Sequence, residues 1–345
     1  MIILLKKWSQ YLGIPISFLY VLKNISLWLF NIISASLQLI FSPLTVISSI
    51  WMRFILKSRV SAVSKEIFSS SGVMPVLDHY YNPLTNPQKY LKKSLRLDRA
   101  LPGIDWNIEG QLGLLSEFRY NDELLEFPLI KSDYAKQFYY DNGSYMSGDA
   151  EYLYNILRFI KPKNLIEIGS GNSTLMARNA IEKNMKDNIS YQCNHVCIEP
   201  YEQSWLEDLP VEVVREKVED QSLSIFEKLA SGDVLFIDSS HVIRPQGDVL
   251  FEYLEILPRL AKGVIVHVHD IFSPKDYLDD WILRDGLMWN EQYLLEAFLS
   301  NNHDFEVIGA LNYLAHNYTK EFSEKCPIFA QQLGREPGAF WIRRL

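Results

Sequence analysis

The sequence predicts an α/β fold, a mostly parallel sheet with helices on both faces, preceded by a separate apolar helical segment. Three observations carry this. Short apolar, β-branched runs at 164–168, 194–199, 211–215, 234–238 and 264–268 alternate with stretches of helical periodicity, as in a series of βαβ units. Residues 164–174, Asn-Leu-Ile-Glu-Ile-Gly-Ser-Gly-Asn-Ser-Thr, read as a buried strand, a glycine turn and the start of a helix. The 29 residues from 24 to 52 carry no Asp, Glu, Lys, Arg or His, which sets them apart from everything that follows.

At 345 residues, with 48% hydrophobic and 13% aromatic side chains, the chain has material for one large or two modest cores. Its net charge of −8 argues against a nucleic-acid partner, because phosphate binding needs clustered Lys and Arg. Of the three cysteines, Cys193 and Cys197 fall on one predicted strand about 13 Å apart, too far for a disulfide. A reducing compartment follows.

Taken in order, the uncharged run exceeds the roughly 20 residues that a spanning helix needs. Ser34, Ser36, Gln38, Ser42 and Thr45 dilute it, and Pro43 cannot continue a helix, so two shorter helices lying in the interface compete with one span. Either form makes residues 1–60 a membrane-associating segment. Lys6, Lys7 and Lys23 precede the run; Arg53, Lys57, Arg59 and Lys65 follow it, a balance that places the C-terminal domain on the cytoplasmic side. Residues 61–100 read as a linker containing the turn-rich stretch 80–87, Tyr-Tyr-Asn-Pro-Leu-Thr-Asn-Pro. A compact domain is expected over 101–345. It opens with an amphipathic helix over 105–127, in which Leu112, Leu115, Phe118 and Leu124 share a face, and a second helix over 150–160 leads into the first strand.

The glycine turn carries the first chemistry. Gly169 and Gly171 let the backbone turn sharply and approach a ligand, and the N–H groups of the following helix start, with Ser173 and Thr174 at its cap, face what lies over the strand end. A dinucleotide fingerprint requires a third glycine where this chain has Thr174. Glu167, two residues before Gly169, repels phosphate and suits a ligand bearing an ammonium group. The pattern resembles motif I of the class I S-adenosylmethionine-dependent methyltransferases. That resemblance implies that Glu167, Gly169 and Gly171 surround the methionine part of S-adenosylmethionine, and Ser173 at the cap is a further cofactor-binding candidate. It also implies a Rossmann-like, doubly wound, seven-stranded sheet with an antiparallel last strand, and two late strands at 305–311 and 339–343 match the closing hairpin. Leu-Pro-Gly-Ile-Asp-Trp-Asn at 101–107 and the aromatic stretch 138–143 resemble the preamble of one bacterial subgroup, so the likeness covers roughly 82–345.

In an open α/β sheet ligands bind beyond the carboxyl ends of the strands, so the terminal polar residue of each strand is informative. Glu199 ends the second strand and can accept two hydroxyls; in the family this position takes the ribose. Glu219 and Asp220 follow the third strand and either approach the adenine or form a surface turn. The fourth ends Ile-Asp-Ser-Ser-His, putting Asp238 at the edge and His241 on the loop; the fifth ends Val-His-Val-His-Asp, leaving His269 and Asp270 beside them. His267 and His269 share a face by strand periodicity. Either His241 accepts a proton, or the carboxylates hold a divalent ion, or both. The arrangement is similar to that of macrolide-sugar O-methyltransferases, which implies magnesium held by Asp238 and Asp270 with His241 as the base, although His269 stands where another acid is expected. Trp281, Trp289, Asn290, Glu291 and Tyr293 are candidates for a lid over an acceptor.

These features together read as a membrane-associated methyltransferase that methylates a hydroxyl on a small-molecule, glycan or lipid-linked acceptor, with catalytic residues His241 and Asp238. Asp238 also adjoins the cofactor. The competing readings are a nicotinamide-dependent oxidoreductase and a non-catalytic membrane-tethered cofactor-binding scaffold.

Overall fold

Pro43 decides the N-terminal architecture. In the computed structural model, which describes residues 16–131, 136–201 and 203–345, the apolar run is split into α1 (Ile16–Ile40) and α2 (Ser42–Lys57), with Pro43 in the first turn of α2. Proline has no N–H to donate back to the preceding turn, and the two helices meet at 62°. No single helix among the described residues is long and apolar enough to cross a membrane; only the bent pair Trp28–Ile40 with Ser42–Lys57 meets that measure together. A single straight helix through the whole uncharged run is therefore not what these residues make. A third helix, α3 (Ala62–Ser71), starts where the Ser61 hydroxyl accepts from Ser64 N at 3.1 Å and stops at Gly72 in the left-handed conformation. Lys6 and Lys7 lie outside the described residues.

The chain divides into two units, Met1–Asn86 and Pro87–Leu345. The break falls inside the turn-rich stretch 80–87. Residues 87–100 of the expected linker belong to the second unit, because Leu95 is buried there and Arg99 pairs with Glu296 and hydrogen-bonds the Pro274 carbonyl.

The second unit is built on a seven-stranded sheet: β1 (Asn164–Ile168), β2 (Asn194–Ile198), β3 (Glu212–Val214), β4 (Val234–Ile237), β5 (Ile265–Val268), β6 (Phe305–Ala310) and β7 (Phe340–Arg344). Their order is β3-β2-β1-β4-β5-β7-β6, with the first five parallel and β7 antiparallel to both neighbours. Strand parity divides the core in two. Leu165, Val234, Phe236, Ile265 and Trp341 face one apolar layer. Ile166, Ile168, Val196, Ile198, Leu235, Ile237, Val266, Val268 and Ile342 face the other.

The first layer is covered by α6 (Asp149–Ile160) and α7 (Asn172–Asp187). The amphipathic helix expected over 105–127 is instead two short ones, α4 (Ile108–Ser116) and α5 (Asn121–Leu124). Lys325 Nζ donates to the carbonyls of Ser116 at 3.0 Å and Phe118 at 2.8 Å, satisfying the groups freed by the break. Leu115, Phe118 and Leu124 are all buried, so the face was read correctly even though the helix was not continuous. At the amino end of the sheet Asp233 is a staple: its oxygens accept from Lys163 N, Asn164 N, Asn164 Nδ2 and Ala230 N at 2.8–3.0 Å. The opposite end is left to the loops that follow each strand.

Candidate functional site

The switch point between β1 and β4, where the strand order reverses, opens into a cavity of about 590 Å³. Its wall is formed by Gly169, Glu199, Tyr201, Lys217, Glu219, Asp238, Ser239, Arg244 and Asp248, among others. A second space of about 310 Å³ shares Gly169, Glu199, Asp238 and Ser239 and adds Tyr145, Ser170, Gly171, Asn172 and Ser173. The structure therefore brings together Gly169, Gly171, Ser173, Glu199, Glu219 and Asp238. It leaves Asp220 out of both walls.

The two glycines have different physical reasons. Gly169 has φ +76°, and a Cβ there would meet the Asp238 carbonyl oxygen at 1.9 Å; this glycine is required by the fold. A Cβ on Gly171 would meet no atom within 4 Å and would enter the open space of the second cavity. A bare backbone bordering empty volume is what close approach by a ligand requires. Thr174, at the place of the missing third glycine, accepts from Gly171 N at 3.0 Å and donates to Glu167 at 2.7 Å, so it closes the turn by hydrogen bonding.

Glu167 is not in either cavity wall. It shares the strand face of Leu165, under α7, and is 1% exposed. Its carboxylate accepts from Ser173 Oγ at 2.5 Å and Thr174 Oγ1 at 2.7 Å, with His195 Nε2 at 3.2 Å and Cys197 Sγ at 3.6 Å. These contacts occupy the carboxylate and account for the Glu167–His195–Cys197 group as a buried hydrogen-bond network. In the structure this residue fixes the start of α7, and with it the turn, from behind. Glu199 does reach the site. Its two oxygens accept from Ser170 N at 3.2 Å and Tyr201 N at 2.9 Å, which fixes the carboxylate in the walls of both cavities.

At the adjacent edge His241 is held on three sides. Its Nδ1 lies 2.8 Å from Glu291 Oε2, while Nε2 lies 3.3 Å from Asp238 Oδ1 and 3.4 Å from Asp270 Oδ2. Both His241 (φ +59°) and Asp270 (φ +56°) sit in the left-handed region, conformations that the surrounding contacts must enforce. The His241 carbonyl accepts from Asn290 N at 3.0 Å and Glu291 N at 3.2 Å, and Asn290 Oδ1 accepts from Ile243 N at 2.6 Å. The loop after β4 is thus pinned to the start of α8 (Glu291–Leu299). Trp289 packs its ring 4.5 Å from that of His241. Burial pulls the imidazole down, but its hydrogen bonds to Asp238 and Glu291 and the charges of Asp270 and Glu291 hold it well above the usual histidine value. For Asp238, burial works upward, yet His269 and His241 hold it below the usual carboxylate range.

Asp238, His241 and Asp270 each offer a ligand atom within 4.8 Å of the others. The fit to a cation follows from Nε2. An imidazole whose Nδ1–H points to Glu291 turns a lone pair toward two carboxylates, and only a proton or a cation between them removes that repulsion. His269, where another acid was expected, has Nε2 3.5 Å from Asp270 Oδ1 and packs 5.0 Å from the Tyr145 ring. His267 does share its face, stacked on Phe236 at 4.0 Å with both ring nitrogens unpartnered; burial first, then the neighbouring His269, push it well below the usual value, so it is a neutral core residue.

Glu291 was placed by the sequence in a lid, yet it is 0% exposed and buttresses His241. Fifty residues separate the two, and no local pattern signals the contact. Lys217, Ser239, Arg244 and Asp248 were missed for the same reason, being loop residues whose meeting depends on how the strands are ordered.

Two comparisons bear on the site. Residues 166–271, from β1 to just beyond β5, match a family model described as a methyltransferase domain. Over 162 residues the chain is 30% identical to an uncharacterized protein of Archaeoglobus fulgidus, an alignment covering 44% of this chain and 72% of the other.

Proposed function

We propose that this chain, which belongs to the methyltransferase-domain family, transfers the methyl group of S-adenosylmethionine to a hydroxyl on a glycan, glycolipid or secondary metabolite. The observation that carries the proposal is the juxtaposition, around one cavity, of the Gly169–Gly171 turn, the Glu199 carboxylate and the Asp238–His241–Asp270 cluster. Bound S-adenosylmethionine supplies an electrophilic methyl on a sulfonium centre. Glu199 is placed to accept hydroxyl hydrogen bonds, and Gly171 leaves room for backbone contact.

An alkyl hydroxyl attacks well only once its proton has an acceptor. The acceptor role expected of His241 is assigned here to Asp238. Nε2 of His241 is engaged by two carboxylates, whereas Asp238 is 32% exposed and lies in both cavity walls. Without a cation the protonated Nε2 of His241 orients Asp238, and with or without one Glu291 orients His241. Asp238, His241 and Asp270 would hold a divalent cation, which would lower the cost of forming the alkoxide. Two carboxylates and an imidazole suit manganese or zinc as well as magnesium.

Calorimetric titration tests the reading: S-adenosylmethionine is expected to bind and NAD is not. Glu199→Ala should weaken binding at least about tenfold, since each charge-assisted hydrogen bond is worth roughly 1.5–3 kcal/mol. NAD binding, or unchanged affinity in a folded Glu199→Ala protein, overturns it. Comparing extracts of a deletion strain with its parent for a component lacking one CH2 identifies the acceptor, and activity that survives chelation rejects the cation.

A further inference from the structure

Residues Met1–Asn86 contain seven Lys and Arg against two Asp and Glu, a net +5 in a chain of net −8, which leaves −13 on the remainder. The described residues of this stretch build no core. Among its described residues none is buried, and Trp28 (62%), Phe30 (67%), Ile47 (63%) and Phe54 (63%) expose large apolar side chains. Helices of this composition are stable in water only when something apolar covers them.

The pattern along α2 shows how they are covered. Thr45, Ser49, Arg53 and Lys57 recur every fourth residue and make one polar stripe. Leu44, Ile47, Trp51 and Phe54 fall on the opposite side at spacings of three and four. The Trp51 and Phe54 rings stack at 5.7 Å with Trp51 58% exposed, an aromatic pair of the kind that favours the boundary between headgroups and acyl chains. In α1 the polar residues Asn31, Ser34 and Gln38 form only a narrow stripe, closed by a Gln38 Nε2 to Ser34 Oγ hydrogen bond at 3.2 Å.

We infer that α1 and α2 lie flat in one leaflet of a bilayer rich in anionic headgroups, bent at Phe41–Pro43, with the apolar sides in the acyl boundary and Arg53 and Lys57 among the headgroups. The 62° bend sets this mode, because Trp28–Ile40 and Ser42–Lys57 are long and apolar enough only together, and they do not lie on one axis. Local basic charge supplies the electrostatic attraction that the acidic remainder of the chain opposes. The inference is independent of methyl transfer.

The test uses the full-length chain, mixed with phosphatidylcholine vesicles or with phosphatidylcholine–phosphatidylglycerol vesicles and floated on a density gradient. Flotation is expected with the anionic vesicles, weakened by high salt and abolished by alkaline carbonate. Arg53→Glu with Lys57→Glu should lower anionic-vesicle binding about tenfold or more. Trp51→Ser with Phe54→Ser should lower binding to both vesicle types. These side chains are exposed, so helix content by circular dichroism should be unchanged in every variant and serves as the folding control. Salt-insensitive flotation that resists carbonate overturns the inference in favour of a span. A lipid-free dimer by light scattering that does not float overturns it in favour of a second copy on the same face.

Discussion

Replacing the two turn glycines one at a time should separate folding from binding. Gly169→Ala places a Cβ 1.9 Å from the Asp238 carbonyl oxygen and forces an alanine to φ +76°. The left-handed conformation alone costs roughly 1–2 kcal/mol. The contact cannot be relieved by a side-chain rotation, because the colliding atom is backbone at the end of β4, whose next N–H, that of Asp238, is bonded to Ile168 O at 2.9 Å. A total of about 3–4 kcal/mol is expected, and at roughly 2–4 °C per kcal/mol for a domain of this size the melting temperature should fall by about 6–16 °C. Gly171→Val meets nothing within 4 Å and has φ −177°, ordinary extended backbone. Its stability should stay within about 1 kcal/mol of the parent. Its added methyls, however, occupy the second cavity, and affinity for S-adenosylmethionine should fall at least about tenfold. Scanning calorimetry and titration calorimetry on both variants read the two effects. Parent-like stability in Gly169→Ala, or parent-like affinity in a folded Gly171→Val, refutes the distinction drawn between the two positions.

Glu291→Ala removes the Nδ1 partner of a buried imidazole and should lower turnover about 10- to 100-fold with little change in cofactor affinity. Glu291→Gln keeps an acceptor and should lose less; parent-like turnover of the alanine variant would remove Glu291 from the mechanism. Burial pushes Glu151 from its ordinary 4.5 up to about 7, against the pull of the Gly148, Ile328 and Phe329 N–H groups. Because the folded value is the higher one, its contribution, about 3 kcal/mol, is complete below pH 4.5 and is lost as pH rises through 7. Urea midpoints of the parent should therefore decline across that window and those of Glu151→Gln should decline less; identical slopes would show that another group sets the dependence.

Much of the architecture was determined locally. Strand parity and β-branched runs set β1, β2, β4 and β5 to within a residue or two, since alternation and burial on both faces leave few other arrangements for such segments. The Gly169 turn and the break at Pro43 follow from single-residue backbone chemistry, and the polar residue at each strand end could be read once a parallel sheet was inferred. The tertiary structure decided which of those residues line the cavities. Glu167 lies two positions before the turn, and parity sends it under α7, where Ser173, Thr174, His195 and Cys197 surround it. His241 looks like a free loop base in the sequence, but Glu291, fifty residues on, and Asp270, from the neighbouring strand, engage both of its ring nitrogens. Periodicity reports a side chain's direction relative to its own element; the protonation and role of a buried group depend on charges brought to it by other elements, and those distances exist only after the chain has packed.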